Sequence, residues 1–201
     1  MSASASFVKS LLAQCCLGGI CEWVVCPGAR NMALLQVLAA AEDLVKWTHF
    51  DERSAAFFAL GRIQDMGLPV AVVTTSGTAA AELLPAVVEA YYERRPLLLL
   101  TADRPADYRG SAAPQAIEQA DLFGIYAPTI DLETPDSLPE DILEDWDYAS
   151  PLHINVCLPD PDPAWNPGNC DLYPAEPPED SEFRGSLAEL AQALRFKSVS
   201  Y

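Results

Sequence analysis

Basic residues are scarce in this 201-residue chain: 12 lysines and arginines stand against 29 acids, a formal charge of −17. A general attraction to DNA, RNA or anionic lipid is thereby excluded, because phosphate-rich partners are held by clustered cations. Histidine is rarer still, with only His49 and His153. The six cysteines (Cys15, Cys16, Cys21, Cys26, Cys157 and Cys170) contain no C-x-x-C pair, and both histidines lie far from them in sequence. That is poor metal-ligand spacing, so no residue is assigned to a metal, and the cysteines read as free, mostly packed thiols of a reducing compartment. No stretch approaches the ~20 apolar residues of a membrane span, and the first residues lack the charged, apolar and cleavage regions of a secretion signal. A cytoplasmic location is therefore expected.

Half of the residues are hydrophobic, enough to fill one substantial core. Short β-branched or aromatic runs (Trp23–Cys26, Val45–Phe50, Val70–Thr75, Leu97–Thr101) alternate with segments of helical length and spacing: Ser4–Leu17, Asn31–Ala41, Arg53–Asp65 and Gly77–Arg94, the last bent at Pro85. The run Leu97–Thr101 is apolar on both faces, as in the middle of a parallel sheet covered on two sides. The pattern predicts an α/β fold with a doubly wound, mainly parallel sheet, helices on both faces, and functional loops at the C-terminal ends of the strands. Beyond Arg104 the reading is a loop with a short helix over Ser111–Gly124, an acidic surface helix over Leu138–Tyr148, and an alternating strand Leu152–Val156 that closes the sheet. Trp23 and Trp47 read as core, Trp146 and Trp165 as surface packing. A domain is expected over residues 1–158, an extended linker rich in proline and acid over 159–185, and the truncated start of a following domain over 186–201.

Asp51-Glu52 ends a strand and opens a small-residue helix. Locally, Asp51 reads as the helix cap and Glu52 as a partner of the helix's positive end. A carboxylate at the C-terminal end of a strand also sits where open α/β sheets hold ligands. Arg30 and Arg104 fall just beyond two strands, where guanidinium forks can hold carboxylates. The plainer alternatives are that Arg104 pairs with Asp103 or Asp107 and that Arg30 is an exposed cap. Ser76-Gly77-Thr78 opens a helix after a strand, but it lacks the glycines and following lysine of a nucleotide-phosphate loop. Gln115 reads equally as a solvated loop residue. Ala55–Leu60, apolar around most of its circumference, must be covered either by its own domain or by another subunit.

Six blocks occur in order: Cys26-Pro27-Gly28-Ala29-Arg30, His49-Phe50-Asp51-Glu52-Arg53-Ser54-Ala55-Ala56-Phe57, Thr75-Ser76-Gly77-Thr78-Ala79-Ala80, Leu100-Thr101-Ala102-Asp103-Arg104-Pro105, Gln115-Ala116-Ile117-Glu118-Gln119 and Pro151-Leu152-His153-Ile154-Asn155-Val156. Over about residues 7–158 this set resembles the N-terminal, pyrimidine-binding domain of the 2-succinyl-5-enolpyruvyl-6-hydroxy-3-cyclohexene-1-carboxylate synthases, thiamine-diphosphate enzymes of menaquinone and phylloquinone synthesis. The resemblance implies that Glu52 is catalytic, bonding the ring nitrogen of the cofactor's aminopyrimidine and favouring the imino tautomer, with Pro27 and Thr78 also on the cofactor side. It implies that Arg30, Arg104 and Gln115 bind substrate. The implied activity is that of a transferase that decarboxylates 2-oxoglutarate and adds the remaining unit to isochorismate.

The resemblance also implies a homo-oligomer, a dimer or dimer of dimers, in which thiamine diphosphate lies between two kinds of domain. Magnesium or manganese would be held through a C-terminal domain recognisable by Gly-Asp-Gly, which this sequence does not contain. The chain is thus expected to be an N-terminal part of a longer synthase, inactive alone. Departures from the family pattern at Ala29, Asn31 and Pro114 remove donors near the substrate side and bear on substrate preference. Two other readings stay open: the pyrimidine domain of another thiamine-dependent 2-oxoacid decarboxylase or carboligase, and a non-catalytic dimerisation module.

Overall fold

The computed structural model describes residues 3–162 and 164–173. Its strands are β1 (Glu22–Val25), β2 (Val45–Thr48), β3 (Val70–Thr74), β4 (Leu97–Asp103), β5 (Thr129–Leu132) and β6 (Leu152–Cys157), and its α-helices are α1 (Ala3–Leu17), α2 (Met32–Ala40), α3 (Glu52–Met66), α4 (Thr78–Ala81) and α5 (Leu84–Tyr92). The strands form one sheet in the order β2-β1-β3-β4-β6-β5. Every neighbouring pair is parallel, as the alternation of strand and helix anticipates.

Alternate side chains feed two cores. Trp23 and Val25 of β1, Ala71 and Val73 of β3, and Leu98 and Leu100 of β4 pack with residues of α1 and α2. Val24, Val70, Val72, Leu97 and Leu99 face the other way, against α3 and α5. With both faces covered, every position of β1, β3, β4 and β6 is buried, which is why Trp23–Val25, Val70–Val73 and Leu97–Leu100 read as apolar runs. Leu97–Leu100 are all fully buried, a contribution of roughly 1.5–3 kcal/mol for each such side chain. On α3 the small Ala55, Ala56 and Ala59 let the helix lie close to the sheet, and Leu60 and Ile63 complete the buried face. That helix stops at Gly67, which adopts φ 68° and returns its N–H to the carbonyl of Ile63.

Several expectations need correction. The single helix expected over Gly77–Arg94 is two, α4 and α5, because Pro85 sits in the first turn of α5, where its missing N–H costs nothing. The acidic stretch Leu138–Tyr148 is not a helix. Asp141 and Asp147 accept the backbone N–H groups of Leu143 and Ala149, two residues on, and so make turns. Those turns drive Ile142, Leu143 and Trp146 into the core beside α1, so Trp146 is buried rather than superficial. Trp47, expected in the core, is 39% exposed because β2 is an edge strand. Finally, β6 is wholly buried and does not close the sheet: β5, short and half polar, lies outside it.

All six cysteines are free and all but Cys21 are buried, as expected. Residues 159–162 and 164–173 contain neither helix nor strand, yet they pack back on the domain. Cys170 and Leu172 join the core, Lys9 donates to the carbonyl of Pro167 at 2.6 Å, and Gln36 donates to the carbonyl of Trp165 at 2.9 Å. The expectations for the rest of the linker and for 186–201 lie outside the described residues. Among the described residues, no helix is long and apolar enough to cross a membrane.

Candidate functional site

Because all strands run the same way, their C-terminal ends share one edge of the sheet. β2 lies on one side of β1 and β3 on the other, so the connections diverge at β1 and leave a switch point of the kind at which open α/β sheets bind ligands. The loop Cys26-Pro27-Gly28 leaves β1 there, and Asn31 shapes it. The Gly28 N–H donates to Asn31 Oδ1 at 2.9 Å, and Asn31 Nδ2 donates to the Cys26 carbonyl at 2.9 Å. A Cβ on Gly28 would lie 2.5 Å from Thr75 Cβ, so the loops after β1 and β3 touch.

Asp51 is the cap of α3, its Oδ1 accepting the Ser54 N–H at 2.7 Å, and this bonding holds its carboxyl below the usual range. Glu52, one residue on, is half-buried, less enclosed than a fully buried acid. Among the described residues its side chain has neither a hydrogen-bond nor an ion-pair partner. Nearby, the Cys26 thiol is pushed up to about 12 by burial and then by the charges of Glu52 and Asp51. It therefore stays protonated, and Glu52 stands beside an uncharged wall.

The two arginines differ. Arg30 is only 9% exposed: Nη1 donates to the Leu158 carbonyl at 3.0 Å and Nη2 to Asp160 Oδ1 at 2.8 Å. It is not an exposed cap. Arg104 pairs with neither Asp103 nor Asp107; its Nε donates to the Pro114 carbonyl at 3.0 Å and its guanidinium lies 5.4 Å from the Tyr108 ring centroid. Asp103 instead accepts the backbone N–H of Arg104 at 2.7 Å. Pro27, Thr78 and Gln115 are exposed. Gln115 has φ 56°, and its backbone abuts Gly77, where a Cβ would lie 2.9 Å from the Gln115 carbonyl oxygen. The fold thus gathers Pro27, Glu52, Thr78 and Arg104 on the same edge of the sheet and brings Gln115 against the turn that precedes Thr78.

Behind this edge lies a buried polar network that the sequence reading missed. Gln119 is fully buried. Its Oε1 accepts the Gly77 N–H at 3.0 Å, and its Nε2 faces Thr101 Oγ1 at 3.0 Å, the Ala102 carbonyl at 3.0 Å and Asn155 Oδ1 at 2.8 Å. Thr101 in turn meets His153 Nε2 at 2.7 Å, while His153 Nδ1 faces Thr129 Oγ1 at 3.0 Å. Burial pushes His153 down to about 3, so the ring is neutral at ordinary pH. Asn155 Nδ2 donates to Asp131 at 2.7 Å and Asp103 at 3.2 Å, and Arg109 bonds Asp131 and Glu133. Burial raises the Asp103 carboxyl despite its hydrogen bond from Asn155. The signal was there: His153 and Asn155 alternate with the apolar Leu152, Ile154 and Val156 and so share one face of a strand, and such polar groups, when buried, need partners.

The family model described as "Thiamine pyrophosphate enzyme, N-terminal TPP binding domain" matches residues 8–122. A 2-succinyl-5-enolpyruvyl-6-hydroxy-3-cyclohexene-1-carboxylate synthase of Akkermansia muciniphila is 93% identical over 198 residues, 98% of this chain and 37% of that protein. Synthases of the same name from Bdellovibrio bacteriovorus and Geobacillus thermodenitrificans are 46% and 45% identical, over 71% and 78% of this chain and 27% and 28% of their own lengths. The chain therefore spans little more than a third of the length of the A. muciniphila synthase and less than a third of the other two.

Proposed function

We propose, given that this chain belongs to the thiamine pyrophosphate enzymes as an N-terminal TPP-binding domain, that it is the pyrimidine-binding part of a synthase that joins a decarboxylated 2-oxoglutarate unit to isochorismate. The high identity to the A. muciniphila synthase supports this substrate pair. The observation that carries the reading is Glu52, a half-buried carboxylate without a partner among the described residues, next to a neutral thiol at the switch-point edge. Such a group fits an aminopyrimidine, because it can share a proton with a ring nitrogen that has no better base nearby.

When bound, thiamine diphosphate supplies the nucleophilic carbon and the electron sink for decarboxylation and carbon–carbon bond formation. Glu52 holds or releases the proton at the pyrimidine nitrogen, and Asp51, already committed to capping α3, fixes where that carboxylate stands. Pro27 and Thr78 would be on the cofactor side. Arg30, Arg104 and Gln115 orient the anionic substrates, their charges and amide matched to carboxylates. Magnesium or manganese would be held through the C-terminal domain of the complete synthase. The place of action is the cytoplasm.

We further propose that the complete enzyme is a homo-oligomer, a dimer or dimer of dimers. Phe50, two residues before Glu52, is 99% exposed, and Phe57 on α3 is 45% exposed. A second protein surface over these rings would enclose Glu52 as well. Residues 1–158 would form the working domain, 159–185 a connection and 186–201 the beginning of the next unit.

The test is a chimera in which this chain replaces the matching segment of the A. muciniphila synthase, assayed with 2-oxoglutarate, isochorismate, thiamine diphosphate and magnesium. Turnover is expected, and Glu52→Gln should remove it while the circular dichroism spectrum stays unchanged. Full carboligation by that variant would reject the role given to Glu52.

A further inference from the structure

We infer that Asp160, a residue with no assigned part in the reaction, is a positioning residue that sets Arg30 for binding an anionic substrate. The inference rests on the reading of Arg30 as a substrate-carboxylate binder. A guanidinium that is 9% exposed must find acceptors inside the protein. Among the described residues Arg30 has two, one on each terminal nitrogen: the Leu158 carbonyl and the Asp160 carboxylate.

The first acceptor is rigid. Leu158 is 2% exposed, and its N–H donates to the Asp103 carbonyl at 3.0 Å, which ties it to the end of β4. The second is a carboxylate that is 83% exposed, so it gains little burial of its own. Its flanking residues, Pro159 and Pro161, narrow the backbone freedom on both sides.

Two acceptors on two different nitrogens fix the plane of the guanidinium. They use two of its five N–H donors and leave the other three for a further anion. Holding the plane in advance lowers the ordering cost when a substrate carboxylate arrives. Asp160 also offsets the charge of Arg30 while no substrate is present, which keeps the side chain from swinging out toward water.

The experiment uses the complete chimeric synthase with Arg30→Ala, Asp160→Ala and Asp160→Glu. Asp160→Ala should raise the KM of the same acid whose KM Arg30→Ala raises, by about tenfold, the lower end of what a charge-assisted hydrogen bond contributes. The kcat and the half-saturating concentration of thiamine diphosphate should stay within about twofold, a small difference on the free-energy scale of one such bond. Asp160→Glu should restore most of the loss. If Arg30→Ala raises a KM and Asp160→Ala does not, the role of Asp160 is overturned and Arg30 keeps its own. If Arg30→Ala leaves both KM values unchanged, the reading of Arg30 fails and this inference fails with it. A parallel loss of cofactor affinity, or no rescue by glutamate, would mean that Asp160 only braces the fold.

Discussion

Two glycines of equal composition value carry opposite predictions because their surroundings differ. Gly77 combines φ 80° with ψ −135°, a conformation essentially confined to glycine, and a Cβ there would press on the backbone of Gln115. Gly77→Ala should lower stability by roughly 1–3 kcal/mol, seen as a lower urea midpoint. Gly61 lies inside α3 with nothing within 4 Å of an added Cβ. Gly61→Ala should raise the same midpoint by an amount equivalent to about 0.5–1 kcal/mol, since alanine loses less backbone freedom in a helix. At this scale the candidate residues were legible, since Glu52, Arg30 and Arg104 stood just past strand ends. Their partners were not. Nothing local ties Arg30 to Asp160, 130 positions away, or Gln119 to Gly77, because a parallel sheet builds such contacts through the crossover connections.

Among the elements, β1, β3 and β4 could be read from apolar runs and α1, α2 and α3 from helical spacing, because full burial on both faces leaves a plain signature in sequence. Two of the failures turn on aspartates. In residues 138–148 the acidic side chains were read as the wet face of a helix, yet two of them bond backbone N–H groups and make turns. β5 escaped notice because half of its residues are polar and serve the network around Asn155. The outer side of α3 makes a prediction of its own. Phe57 and the edge-strand Trp47 are exposed in this chain, and Phe58 is T-stacked on Trp47 at 5.3 Å. Phe57→Asp should leave the circular dichroism spectrum intact while shifting the complete synthase toward smaller species in analytical ultracentrifugation. An unchanged distribution would argue that this face is not part of the assembly.

For the molecule as a whole, pH acts through the buried histidine. His153 binds its proton far less readily when folded than the ordinary value of 6.5, at about 3, because of burial. The unfolded chain therefore takes up a proton that the folded one refuses between those values, and stability falls as pH drops from about 6.5 toward 3. His153→Gln should flatten this part of a melting-temperature profile, an effect on the order of a few kcal/mol at the acid end. Asp103 works in the opposite sense. Burial raises its carboxyl, so its own contribution declines as pH climbs past 3.8. The segment that follows β6 has a mechanical consequence. It grips α1 through Lys9, α2 through Gln36 and the β1 loop through Arg30, so it behaves as a rein rather than slack rope. A pull on its far end meets the clasps at Pro167 and Trp165 before it can reach Asp160, so the arginine is sheltered from strain along the chain.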